Sequence, residues 1–291
     1  MEESKVLEAG KIASQIREYS KRIIKKNIPL LEIAEKIEAK ILELGGKPAF
    51  PVNLSIDNIA AHYTPTYNDK SVAKGLIKID IGVHIDGWIA DTAFSIDLES
   101  SEENKKLIES SEKALEEAIK IFNTGTKLNE IGKKISETIE SKGFSPIINL
   151  SGHEIEHYQL HAGLTIPNID NKVTYEIKKG LYAIEPFAST GEGKVHDGIS
   201  SGIYILTSEK NPRSPIAREI LDYIIENYQT LPFCSRWIVK KFETKSLLGL
   251  KQLEDNGNLH HFPQLMEKQG VKISQAEHTL LIDKEKIITT K

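Results

Sequence analysis

Isoleucine sets the first rhythm of the chain. Ile33, Ile37 and Ile41 recur every four residues, Gly45-Gly46 stop the run and Pro48 follows. That is one apolar helix face closed by a C-terminal glycine, so residues 3 to 44 predict two helices. The same text then returns. Glu32, Ile33, Lys36, Ile37, Ile41, Gly45 and Pro48 are matched by Glu130, Ile131, Lys134, Ile135, Ile139, Gly143 and Pro146, each 98 residues on. Asn53-Leu54-Ser55 returns 96 residues on as Asn149-Leu150-Ser151. Lys74-Gly75-Leu76-Ile77-Lys78-Ile79-Asp80 is echoed 105 residues on by Lys179-Gly180-Leu181-Tyr182-Ala183-Ile184-Glu185, and both segments read as strands after a glycine. A weaker echo joins Ala90-Asp91-Thr92 to Ala276-Glu277 and Thr279. Three blocks matched in one order predict a duplicated α+β unit rather than chance likeness between amphipathic helices.

The second copy is interrupted. Between 208 and 272 the text turns helical, with Ile216, Ile220 and Ile224 at spacing four and shorter apolar runs broken by Gly257 and Pro263. Strand-like text resumes at Val271-Lys272-Ile273, and His278–Ile282 reads as a strand before a hairpin turn at Lys284-Glu285. The expectation is one domain over 1–291 carrying an inserted helical subdomain over 208–272. Composition agrees with folded globular chains: 39% of residues are hydrophobic and 27% charged. A net charge of −4 argues against nucleic acid or an anionic membrane as the main partner. One cysteine, Cys234, excludes an internal disulfide and any cysteine-based zinc site. No run of 18 apolar residues exists, and the first 25 residues mix both charges without an apolar stretch. A cytoplasmic protein is expected.

Chemistry concentrates in a few acids. Asp80 interrupts the apolar strand text Leu76–Val83, and Asp91 lies in Trp88–Phe94, with the turn dipeptide Asp86-Gly87 between them. In that hairpin, positions summing to about 173 face each other. Asp80 and Asp91 sum to 171, near one another with room for a bulge. Two carboxylates so placed repel unless a cation joins them. Glu185 is the repeat partner of Asp80 and Glu277 that of Asp91, so four carboxylates are expected at a common centre, with His153 supplying an imidazole. This donor set suits two cations such as Mn²⁺, Fe²⁺ or Co²⁺ better than a closed zinc site. Two such ions about 3.5–4 Å apart lower the pKa of a shared water, which is hydrolase chemistry. A rival pattern is present: His153-Glu154-Ile155-Glu156-His157 matches H-E-x-x-H, with Glu176 as a possible third ligand. It requires a helix, follows Ser-Gly directly, and leaves the four acids unexplained.

At these residues the chain resembles the type 2 methionine aminopeptidases. The likeness is carried by Phe50–Ser55, Ala60–Pro65, Asp80–Gly87, Ala90–Ala93, Gly152-His153, His161–Gly163, Ile184–Phe187 and Gln275–Thr279. It extends to Leu231–Trp237 in the insertion that separates type 2 from type 1, and the short start resembles the archaeal form. The resemblance implies a pita-bread fold of the α+β class: two pseudo-twofold halves with curved antiparallel sheet, flanking helices and the helical insertion. It implies two divalent ions (Co²⁺, Mn²⁺, Fe²⁺ or Zn²⁺) on Asp80, Asp91, His153, Glu185 and Glu277, with Asp91 and Glu277 bridging. Bridging hydroxide would attack the carbonyl after an N-terminal Met, Glu185 would move the proton, and His161 would stabilise the oxyanion. His62 would position the substrate. Phe50 matches a Met-pocket wall, and Phe262 stands where the family usually has Tyr; Leu160 and Ile203 are further walls or ordinary core. His84, His157, His260 and His278 read as structural. The implied substrates are nascent polypeptides with a small second residue, met by a monomer transiently near the ribosome. Proline-directed peptidases of the same fold share the five ligands; the His-Tyr-Thr-Pro segment and the insertion favour the Met enzyme. Binding proteins of this fold have lost ligands that are intact here.

Overall fold

Two helices precede a set of strands, twice over, in the computed structural model, which describes residues 1–291. The first copy runs α1 (Glu3–Ile23), α2 (Leu30–Glu43), β1 (Lys47–Pro48), β2 (Asn53–Ile56), β3 (Ile59–Ala61), β4 (Leu76–Ile85) and β5 (Trp88–Asp97). α2 buries Ile33, Ile37 and Ile41, which join α1 and the apolar face of β4 (Ile77, Ile79, Ile81) in one core. The β4–β5 hairpin pairs without interruption from Ile85↔Trp88 to Leu76↔Asp97, so the bulge that the spacing allowed is absent. Asp86 and Gly87 both hold positive φ, 45° and 83°, as a two-residue hairpin turn requires. Asp80 therefore faces Ala93, and Asp91 faces Gly82. The two acids are one diagonal step apart on a single face.

The second copy repeats this order with α3 (Glu102–Ile121), α4 (Leu128–Glu140), β6 (Ser145–Pro146), β7 (Ser151–Ile155), β8 (Thr165–Pro167), β9 (Gly180–Ile184), β10 (Phe187–Ser189) and β11 (His196–Leu206). α4 buries Ile131, Ile135 and Ile139 against β9 in a second core. β9 and β10 together stand in the place of β4: β6 pairs with β10 as β1 pairs with β4, and β7 with β9 as β2 with β4. The break between β9 and β10 falls at Glu185-Pro186, where proline has no N–H for a ladder.

After β11 come α5 (Pro215–Asn227), β12 (Phe233–Cys234), α6 (Ser235–Phe242), α7 (Ser246–Asp255) and β13 (Leu259–Met266), then β14 (Ile273–Gln275), β15 (His278–Ile282) and β16 (Lys286–Ile288). The helical stretch is narrower than the expected 208–272. It ends at Asp255, and Leu259–Met266 forms a strand that pairs with β11 and β3. That strand was hidden because its burial does not alternate: only Leu259 and Gln264 are fully buried. The three helices enclose their own core around Ile220, Ile224, Phe233 and Ile238. Arg236 of α6 ties them to α2 by a buried bidentate pair with Glu38, at 2.6 and 2.8 Å. No helix is long and apolar enough to cross a membrane.

β14 and β15 stand in the place of β5, and their register against β10 and β9 is the same on both sides of the break (Phe187↔Gln275, Ile184↔His278). Glu185 therefore stands opposite Glu277. This corrects the weaker echo of the sequence: Glu277 occupies the place of Ala93, two residues from that of Asp91. Residues two apart on a strand share a face, so the carboxylates still converge.

Candidate metal centre

Five side chains line one cavity, three from within strands and two from strand breaks. Asp80 comes from the middle of β4, Asp91 from β5 and His153 from β7; Glu185 and Glu277 come from the two strand breaks. His153 Nε2 lies 3.6 Å from Asp91 Oδ2 and 3.9 Å from Glu185 Oε1. Ligand atoms of Asp91, His153 and Glu277 all fall within 4.8 Å of one another. The breaks are pinned by backbone contacts: Asn168 Nδ2 donates to the Glu185 carbonyl, and Thr92 Oγ1 to that of Glu277. On the far side Arg17 donates to Thr92 Oγ1 and to the Ala93 carbonyl, which also accepts the Glu277 N–H.

The electrostatics of this cluster are those of a cation site. Burial pushes Asp80 up to about 7, against a hydrogen bond from Gln275 that opposes the rise. Burial, then the neighbouring acids, hold Asp91, Glu185 and Glu277 well above the usual carboxylate range. Burial lowers His153 to about 3, leaving a neutral imidazole. Asp80 Oδ1, Asp91 Oδ1 and Glu277 Oε2 are buried without any hydrogen-bond partner. A buried acceptor left bare in this way is costly. Oxygen-rich donors plus one neutral imidazole suit a divalent cation, and four carboxylates carry the charge of two. The residues present fit the metal that the sequence implies.

The centre opens into a cavity of about 360 Å³. The residues that the family resemblance implies all line it: Phe50, His62, Asp80, Asp91, His153, Leu160, His161, Glu185, Ile203, Phe262 and Glu277; Glu154, His157 and Glu176 of the rival motif do not. The Phe50 ring packs against Gly82, where an added Cβ would come within 2.3 Å of it. His62 sits at φ 63° with Nδ1 3.2 Å from the Pro263 carbonyl and its ring edge-on to Phe262. Burial drops its pKa to about 4, so the ring is neutral near pH 7. His161 stands exposed at the mouth, its ring centroid 4.4 Å from that of His153.

The H-E-x-x-H reading does not hold. Residues 151–155 form strand β7, so His153 and Glu154 point to opposite faces, and His157 sits in the following turn. His157 Nε2 contacts the Asp86 carbonyl, and its ring packs on Trp88. His84 and His278 are likewise committed, to Gly87 N–H and Thr290 Oγ1. Sequence reasoning missed Asn53, Asn149, Phe187 and Pro232, which also line the cavity. The two asparagines open the echoed Asn-Leu-Ser blocks, so the repeat itself was the signal for them. Nothing in sequence marked Arg17.

The profile of Metallopeptidase family M24 matches residues 4–227. A methionine aminopeptidase of Pyrococcus abyssi is 45% identical, the match covering 100% of this chain and 99% of that protein. One of Methanocaldococcus jannaschii is 46% identical over 99% and 98%. Among solved structures, a thermophilic Arx1 superposes with a TM-score of 0.86 at 14% identity, covering 98% of this chain and 90% of that one. A methionine aminopeptidase from Thermotoga maritima gives 0.71 at 23%, covering 99% and 96%. These last two likenesses concern the fold alone.

Proposed function

The chain belongs to metallopeptidase family M24 and within it to the methionine aminopeptidases, and we propose that it removes N-terminal methionine by metal-dependent hydrolysis at the cavity described above. The observation that carries this reading is the convergence of Asp80, Asp91, His153, Glu185 and Glu277, with bare buried oxygens, at the floor of an apolar-walled cavity. We infer that these five residues hold two divalent ions, since four carboxylates balance two dications. When bound, such ions supply Lewis acidity and a nucleophilic water at neutral pH.

The protein's own groups then divide the work. Phe50, Leu160, Ile203 and Phe262 give the Met side chain an apolar enclosure. Its bounded size also favours a small second residue. Glu185 turns Oε1 toward His153 and the cation site, where it can take a proton from water and pass it to the departing amine. His62 commits Nδ1–H to the Pro263 carbonyl and offers Nε2 as an acceptor for a substrate N–H. His161, neutral at the mouth, donates to the scissile carbonyl as negative charge develops on its oxygen. We propose nascent polypeptides as substrates and a cytoplasmic monomer, transiently near the ribosome, as the working form.

Calorimetric titration with Mn²⁺, paired with free-Met release from Met-Ala-Ser, tests the assignment. Asp91→Ala should lose metal binding and activity together. Normal turnover by that variant in metal-replete buffer would refute the ligand set.

A further inference from the structure

Register makes an assignment that the echo in sequence misses. In the first copy Gly82 faces Asp91 across the hairpin. The residue equivalent to Gly82, 105 positions on, is Phe187, and Phe187 faces Gln275. Gln275 thus stands where the first copy has a metal-ligating aspartate. The hydroxyls between the halves repeat the equivalence. Thr279 Oγ1 accepts from Asp91 N–H and donates to the Asp91 carbonyl, both at 2.8 Å. Ser95 Oγ accepts from Gln275 N–H and donates to the Gln275 carbonyl, both at 2.9 Å. Ser95 faces Lys78, and Thr279 faces Ala183, which are again 105 apart.

The Gln275 side chain is 1% exposed, and its Nε2 donates to Glu185 Oε2 at 3.3 Å. The other oxygen, Oε1, is the one turned toward His153. Resting on the site reading above, we propose that Gln275 is a positioning residue of the metal centre. Its amide holds Glu185 by one oxygen and keeps the site at four carboxylates where strict symmetry with Asp91 would supply a fifth. A glutamate there would add charge and accept where the amide donates; a methionine would fill the same space and do neither.

The test is Mn²⁺ titration and steady-state kinetics on Met-Ala-Ser for Gln275→Met, Gln275→Glu and Asp91→Ala, with metal-free melting curves as the folding control. Gln275→Met should bind Mn²⁺ about 10–100-fold more weakly, with kcat lowered about as much and KM changed far less. Gln275→Glu should bind Mn²⁺ at least as tightly as the parent yet lose kcat. Parent-like affinity and kcat in Gln275→Met would overturn the proposal, as would equal loss of affinity in both variants, the mark of packing alone. If Asp91→Ala also keeps its metal, the site assignment itself has failed; if only that variant loses it, the positioning role alone has.

Discussion

His62 holds a left-handed backbone conformation, φ 63°, uncommon outside glycine although histidine enters it more readily than most residues. Such strain costs on the order of 1–3 kcal/mol and aims the ring into the cavity over the Pro263 carbonyl. His161→Ala should lower kcat by about 10²–10³ with a smaller change in KM, if the ring stabilises developing charge; steady-state kinetics on Met-Ala-Ser reads this directly. Glu154→Gln should leave turnover largely intact, because β7 points Glu154 away from the centre. A dead Glu154→Gln enzyme would revive the single-zinc alternative. Gly82→Ala should push Phe50 off its seat, costing about 1–3 kcal/mol in denaturant unfolding and raising KM for Met peptides.

Between elements, the decisive contact is Arg236 with Glu38. Arg236 is 3% and Glu38 7% exposed, and Arg236 Nε also donates to the Pro65 carbonyl, at the end of the segment bearing His62. Trp237 Nε1 adds a hydrogen bond to Glu38 Oε2. Replacing either partner alone strands a buried charge and should cost about 3–5 kcal/mol in equilibrium unfolding. A double replacement by Met and Leu should recover most of it, and a single-variant cost below about 1 kcal/mol would contradict this account. The sequence held both segments, His62-Tyr63-Thr64-Pro65 and Leu231–Trp237, but nothing in it joined them, since 171 residues separate Arg236 from Pro65. Helices α2 and α4 were legible because isoleucine at spacing four has one reading. Strand β13 was not: its mixed burial breaks the alternation on which strand reading depends. The Asp91–Glu277 echo stands two residues out of step because it is a likeness of side chains, whereas the strands are equivalent by register.

At the scale of the molecule, duplication accounts for the site. Two copies of one unit each send acids to the shared floor, and the breaks at Glu185-Pro186 and Ala276-Glu277 turn the second pair inward. That much was visible in the repeats; the hydroxyl seam between the halves was not, because Thr92, Ser95 and Thr279 read as ordinary strand residues. Metal-free, the folded protein keeps protons on acids that the unfolded chain has already released. The acids' share of the stability, present at low pH, should therefore be lost as pH rises from about 4 through the value near 7 set for Asp80. Melting temperature after chelation should fall from pH 7 to pH 8.5, above the ordinary histidine range, where buried rings such as His62 and His153, neutral when folded, no longer add stability with rising pH. The stabilisation given by Mn²⁺ should widen over that range, and a constant gap would contradict the carboxylate account. The most direct test of the central claim is hydrolysis of two peptides, Met-Ala-Ser and Ala-Pro-Ala, by the Mn²⁺- or Co²⁺-loaded protein. Free methionine from the first, with the second left whole, is the expected result; cleavage of Ala-Pro-Ala without release of methionine would contradict it.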